Sequence, residues 1–331
     1  MLRAAAVAFA LVWTLASAGA NAFSSLYVLG DSISDAGNND LLFKGLVTTP
    51  VPIDSNTFIP TFPYQSGRYT NDEVWAQNFA KALGLQANPS LAGGTDFAFG
   101  GARTSGGTNP PAFLTIVQQK DDLLATRKPI APDALYVVQG GANNARDTVA
   151  EIDKNKPSNP APVIQANALD YANDMKSIVA DLESAGARDI VVWNVPDLGR
   201  APALLAAGAG ASFLGTSVAE SMNLALDAAI GKDPHVKLFD VFGVVDNVAN
   251  HPDQFGLTNV TDACARFTDC DPAKFLFWDG VHPTSAGHEI LSDAMLQLIP
   301  EPSTYAFAIT GLIACLLFGP RGRRAAIFRS T

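Results

Sequence analysis

Basic residues are scarce in this 331-residue chain: 22 Lys and Arg stand against 32 Asp and Glu, and charged residues make up only 16% of it. Phosphate backbones are held mainly through Lys and Arg, so a formal net charge of −10 argues against nucleic acid as a partner. Long hydrophobic runs are missing between residues 23 and 303, which excludes a polytopic membrane protein. Histidine and cysteine are also rare, at four and three. No Cys-x-x-Cys pair exists, and His288-Glu289 lacks the later histidine of a zinc protease, so no metal site is expected. What is abundant is apolar: 48% hydrophobic residues exclude intrinsic disorder and suffice for one large core.

The two ends follow a different grammar from the middle. Residues 1–22 carry Arg3, an apolar run from Ala4 to Ala16, and the small-residue end Ser17-Ala18-Gly19-Ala20-Asn21-Ala22. That order is expected of a secretory signal cleaved after Ala20 or Ala22. Residues 300–331 begin Pro300-Glu301-Pro302-Ser303, continue through the apolar stretch Thr304 to Gly319, and end in Arg321, Arg323, Arg324 and Arg329. About sixteen helical residues span only ~24 Å against a hydrocarbon core of ~30 Å, a marginal transmembrane helix whose arginines should stay cytoplasmic. The tail closely resembles the PEP-CTERM sorting signal of Gram-negative bacteria. That resemblance implies transient membrane anchoring, processing by signal peptidase and an exosortase-type enzyme, and an exopolysaccharide setting at the cell surface or outside it; a plain C-terminal anchor is the alternative. Cys264 and Cys270 are expected to form a small-loop disulfide in an exported chain, Cys315 lying inside the tail.

Residues 23–299 read as one domain. Leu26 to Leu29, Ala134 to Val138, Ile190 to Trp193 and Val236 to Val241 are short apolar runs rich in β-branched and aromatic residues, as buried strands are. Asp72 to Leu83, Ala112 to Ala125, Val163 to Ala185, Ala211 to Ile230 and Ser285 to Leu298 have helical patterns, with Asn71 as a cap for the first and Gly84 as its stop. Strands alternating with helices predict an α/β fold, a mainly parallel sheet covered on both faces. Such sheets bind ligands beyond the carboxyl ends of their strands.

Four strand-end or loop segments carry residues suited to chemistry. Gly30-Asp31-Ser32-Ile33 ends the first strand, and Ser32 there is placed as a nucleophile or as an ordinary helix cap. Asp279 precedes His282 by three residues, near enough for the carboxylate to hold imidazole Nδ1 and fix its tautomer. Gly100-Gly101 offers a backbone N–H with no Cβ in the way, and Gly141-Ala142-Asn143-Asn144 an amide donor, together an oxyanion hole. Taken singly, each is as well read as a turn.

In this chain order the four segments resemble the SGNH or GDSL family of serine hydrolases. Ser66 to Asn71, Val192 to Gly199 and His282 to His288 strengthen the likeness, which covers residues 25 to 298. It implies a flavodoxin-like three-layer α/β/α sandwich and a triad of Ser32, His282 and Asp279. The oxyanion would be held by the N–H groups of Ser32 and Gly100 and by Asn143, and carboxylic esters would be cleaved through an acyl-enzyme by a monomer without metal or organic cofactor. Three departures stand out: Ile33 for leucine at a position taken to be one of packing, Asn144 for aspartate, and two adjacent glycines at 100 and 101 that leave the donor's position open by one. The lipid, short-chain or acylated-glycan nature of the ester is left open, with Leu41 to Thr61 and Ala201 to Gly215 as the loops that would shape the acyl pocket. A conventional α/β-hydrolase lacks its Gly-x-Ser-x-Gly elbow here. A matrix or surface module that kept this fold and lost its chemistry is the non-enzymatic alternative. Removing both ends takes away five arginines and one glutamate, so the mature domain's formal charge falls from −10 to −14, fitting a soluble exported enzyme rather than one bound to anionic lipid by charge.

Overall fold

The computed structural model describes residues 23–44, 51–106 and 114–299. The signal at 1–22 and the tail at 300–331 lie outside the described residues, and among the described residues no helix is long and apolar enough to cross a membrane. The folded unit is Phe23–Leu298.

Its centre is a parallel sheet of β1 (Leu26–Leu29), β2 (Leu135–Val138), β3 (Asp189–Trp193) and β4 (Val236–Phe239), paired in that order. These are the four runs read as strands, the last ending at Phe239 because Asp240 caps the next helix through the N–H of Gly243. Beyond β1 the chain adds an irregular fifth pairing: Val28 N–H reaches Thr95 O, Phe97 N–H reaches Val28 O, and Phe99 N–H reaches Gly30 O. A segment that follows β1 in sequence thus lies on one side of it and β2 on the other. This is a topological switch point, where the loops leaving β1 and its neighbours open a crevice.

Side-chain alternation sends opposite faces of the sheet into two cores. Leu29, Tyr136, Val138, Ile190 and Val192 face one layer of helices: α3 (Ile116–Thr126), α4 (Ala142–Asn155), α5 (Ala161–Ala185) and α7 (Ala209–Ile230). On the other face Trp193 packs against Trp75 of α2 (Trp75–Ala82) and against Phe239, with ring centroids 4.4 and 4.6 Å apart. The helix α9 (Ser285–Leu298) lies against α2. Both tryptophans are fully buried, each burial worth on the order of 1.5–3 kcal/mol or more. The short α1 (Asn38–Leu42) follows the β1 turn, α6 (Pro202–Ala206) precedes α7, and α8 (Val241–Asn250) follows β4.

Helix boundaries moved where polar side chains found other work. Asn71 does not cap α2, which starts at Trp75; its amide instead accepts from Ser285 N–H and donates to Ser285 Oγ, securing the start of α9. Thr115 caps α3, with Gln118 bonding back to its N–H.

The last part of the chain holds a second, two-stranded sheet of β5 (Asn259–Ala263) and β6 (Phe275–Phe277). A disulfide joins Cys264 to Cys270 between them. Ala265, inside that loop, donates its N–H to Trp278 O and accepts from Ile53 N–H, both at 2.9 Å. The covalent loop therefore grips the residue just before Asp279. Closing so short a loop is worth about 2 kcal/mol by the chain-entropy estimate. We expect the Cys264→Ser, Cys270→Ser protein to lose about that much stability in urea unfolding and to turn over more slowly; unchanged values on both counts would show that the loop steadies nothing.

Candidate active site

β1 delivers Ser32 into the crevice through a turn that is built almost entirely of side-chain clamps. Gln119 bonds both backbone groups of Gly30, Oε1 accepting its N–H at 2.8 Å and Nε2 donating to its carbonyl at 2.9 Å. Gln139 Oε1, after β2, accepts from Asp31 N–H and Ser34 Oγ. A Cβ on residue 30 would lie 2.6 Å from that Oε1, so any larger residue would displace the Gln139 clamp. Asp31 O accepts from the N–H groups of both Ser34 and Asp35, and no helix opens at Ser32. The serine hydroxyl is thereby free for a partner from another part of the chain.

That partner is His282, whose Nε2 lies 2.8 Å from Ser32 Oγ. Its Nδ1 lies 2.9 and 2.8 Å from the two oxygens of Asp279. Asp279 Oδ1 also accepts the N–H groups of Val281 and His282, and Oδ2 accepts from Tyr64 OH at 3.0 Å. The carboxylate is fully buried yet fully engaged, which fixes it and the ring it faces. Burial, with the adjacent carboxylate, pushes the Tyr64 hydroxyl far above the ordinary phenol range, so it stays a donor. Tyr64 was not legible in the sequence as a functional residue, because nothing local links it to position 279.

Gly280, between acid and base, is pinned from two sides. Its N–H donates to Phe58 O and its carbonyl accepts Ala203 N–H, each at 2.9 Å. A Cβ there would sit 2.6 Å from Phe58 O. The loops around Leu41 to Thr61 and Ala201 to Gly215 thus meet the catalytic loop, although residues 45–50 lie outside the described residues.

Ser32, Ile33, Asn143, Arg146, Leu198 and His282 line a narrow cavity of about 30 Å³. Ile33 was expected only to pack, and it forms part of this wall. A larger groove of about 500 Å³ lies between α2 and α9, lined by Glu73, Lys81, Glu289 and Asp293 among others; it contains neither Ser32 nor His282. Hydrogen-bond geometry at Ser32 and His282, not volume, singles out the candidate site.

The oxyanion side needs one correction. Gly100 was the expected donor, but its N–H goes to Asp35 Oδ2 at 2.9 Å. A Cβ on residue 100 would meet the Tyr69 ring at 2.1 Å, so Gly100 is a glycine for packing. Gly101, at φ +83°, has an N–H with no acceptor among the described residues, and so has Ser32. Asn143 Nδ2 donates to Ala102 O at 3.0 Å with one of its two hydrogens, which seats the amide beside Gly101. Asn144 makes good its replacement of aspartate: Oδ1 accepts Thr104 N–H and Nδ2 donates to Thr104 Oγ1, both at 3.1 Å, tying α4 to the glycine loop. A carboxylate could not make the second bond.

His288, within α9, is fully buried and accepts Trp75 N–H on Nδ1. Burial, then the nearby His282, depress its pKa to about 3, which keeps it neutral and structural.

The sequence profile of the family described as GDSL-like Lipase/Acylhydrolase matches residues 26–295. The chain belongs to that family of ester hydrolases. It is 24% identical to the GDSL esterase/lipase EXL6 of Arabidopsis thaliana over 88% of this chain and 95% of that one. It is 27% identical to esterase EstA of Pseudomonas aeruginosa over 90% of this chain and 50% of that one. The chain thus spans about half the length of the Pseudomonas relatives it matches. Among solved structures, the lipase Lip_vut3 from a goat rumen metagenome superposes with a TM-score of 0.46 at 13% identity, covering 84% of this chain and 99% of that one.

Asp35 joins nucleophile turn and glycine loop, and its own titration is a lever on both. Its carboxylate accepts N–H groups from Gly37, Asn38, Asn39 and Gly100, but burial outweighs them and raises its pKa to about 6 from 3.8. A raised carboxyl pKa favours the protonated fold, so this contribution to stability is complete below pH 3.8 and lost as pH rises through 6. Asp35→Asn removes that loss. We expect its destabilisation relative to the parent to shrink by about 1 kcal/mol between pH 5 and pH 8 in urea melts. A pH-independent difference would mean that Asp35 keeps an ordinary pKa in the fold.

Proposed function

We propose that the chain is an exported carboxylic ester hydrolase working through Ser32, His282 and Asp279. The observation that carries this reading is the unbroken hydrogen-bond chain from Asp279 through His282 to Ser32 Oγ, which opens on a cavity beside Asn143. In the reaction His282 Nε2 takes the serine proton as Oγ attacks the ester carbonyl, and Asp279 keeps the ring in the tautomer that can do so. The developing oxyanion is met by the N–H groups of Ser32 and Gly101 and by the second N–H of Asn143. Each such donor is worth about 2.7–4 kcal/mol of barrier. His282 returns the proton to the leaving alcohol, then activates the water that releases the acid.

The tight cavity favours a short acyl group over a long lipid chain. The signal-like residues 1–22 and the Pro300-Glu301-Pro302-Ser303 tail support export with transient anchoring, and an exopolysaccharide setting makes acylated glycans the substrate class to try first. The inactive-module reading has no observation in its favour at the site, where nucleophile, base, acid and donors converge.

Two measurements on the purified domain test this. Ser32→Ala is expected to abolish hydrolysis of p-nitrophenyl acetate with the circular dichroism spectrum unchanged, and kcat/KM of the parent is expected to fall as the acyl chain is lengthened. Activity retained without Ser32 would remove the serine from the mechanism; a preference for long chains would overturn the short-acyl assignment.

A further inference from the structure

Arg146 stands on α4, one turn after Asn143, and its side chain lines the same cavity as Ser32 and His282. Among the described residues on that wall it is the one side chain with a permanent positive charge. It is half-buried, and burial, reinforced by the neighbouring Arg103, works against its charge. A guanidinium in such a place is ordinarily paired with a carboxylate.

The available carboxylates are committed elsewhere. Asp147, next in sequence, takes Arg103 in a two-point contact, Nε to Oδ2 and Nη2 to Oδ1 at 2.8 Å each. Both oxygens of Asp279 face His282, and one also takes Tyr64. Asp31 is near enough to favour the charge on Arg146 but makes no ion pair with it; its Oδ1 holds Ile33 N–H and its Oδ2 is sealed from solvent. Among the described residues the one hydrogen bond that Arg146 donates is from Nη1 to Asn143 Oδ1 at 3.2 Å. That bond anchors the guanidinium beside the oxyanion donor, while Nε and Nη2 have no protein partner among the described residues.

The geometry points to Arg146 as a specificity-determining residue that selects esters bearing a carboxylate a few bonds from the scissile carbonyl. The inference rests on the esterase reading above and narrows its substrate class. A guanidinium fork presents parallel N–H groups that match a carboxylate in shape as well as charge, and the confined site strengthens the pairing. The overall acidity of the domain makes this local inversion the more selective, since an anionic substrate gains nothing from the rest of the surface. Two kinds of ester offer the chemistry: an acylated hydroxy acid, such as an O-acetylated uronate, with the charge on the alcohol side, and a half-ester of a dicarboxylic acid, with the charge on the acyl side.

Matched pairs separate these sources. On the alcohol side the pair is 3-acetoxybenzoate and the neutral 3-acetoxybenzamide; on the acyl side it is monomethyl glutarate and dimethyl glutarate. With kcat/KM corrected for hydroxide-catalysed reactivity, the parent protein is expected to prefer the acidic member at least tenfold in one pair, and the pair that shows it names the side. The preference should weaken with added salt, collapse to near parity in Arg146→Gln, and survive in part in Arg146→Lys, whatever either substitution does to absolute rates. Parity in both pairs for the parent would overturn the proposal without touching the esterase reading, because the neutral esters would still be cleaved. Equal loss for acidic and neutral members in Arg146→Gln would also overturn it, leaving Arg146 only to orient Asn143. Failure to hydrolyse any of the four would sink the esterase reading and this proposal with it.

Discussion

The hydrogen bond of 2.8 Å between Ser32 Oγ and His282 Nε2 joins residues 250 positions apart, and much of the fold can be understood as the means of keeping it. On the serine side, β1, flanked by β2 and the irregular segment around residue 97, ends in a turn held by Gln119 and Gln139. On the histidine side there is no strand of the main sheet at all. The loop from Asp279 to His282 is instead held by contacts from Phe58, Ala203, Tyr64 and the disulfide-closed segment through Trp278. Asn71 fastens the start of the following helix from a distant part of the chain. A site assembled from loops needs such supports, because a displacement of 1 Å at the reacting atoms is costly to catalysis.

A second constraint is the buried carboxylate of Asp35. One oxygen orders the turn after Ser32 and the other reaches Gly100, so the Ser32 turn and the Gly100 loop share a single anchor. Asp96 lies behind it, its pKa raised by burial and then by Asp35, and holds Ala98 N–H. The arrangement sacrifices the ordinary solvation of two carboxylates for the positioning of backbone groups, a trade more common at functional sites than in cores.

How far the sequence disclosed this differs from element to element. The four main strands were legible because each is a short apolar run followed within two residues by Gly, Asn or Asp, and α9 was legible to the residue. α4 was hidden by the Gly140-Gly141 turn that precedes it and by its polar composition, α8 by the strand-like residues at its start, β5 by its polar composition and β6 by its brevity. The pairing of Asp279 with His282 was legible because the two are three residues apart. Which of the adjacent N–H groups of Gly100 and Gly101 lacks a partner was not, since that depends on Asp35, 65 residues before Gly100. Tyr64 and the pinning of Gly280 are likewise products of tertiary contact alone.

If the fold activates Ser32 through His282, the serine should react as a nucleophile only while that histidine is present. The most direct measurement is covalent labelling of the purified protein with a fluorophosphonate probe, followed by mass spectrometric mapping of the modified peptide. Stoichiometric label is expected on Ser32, with a large drop in labelling rate in His282→Ala. No label at Ser32, or labelling that is indifferent to the loss of His282, would contradict it.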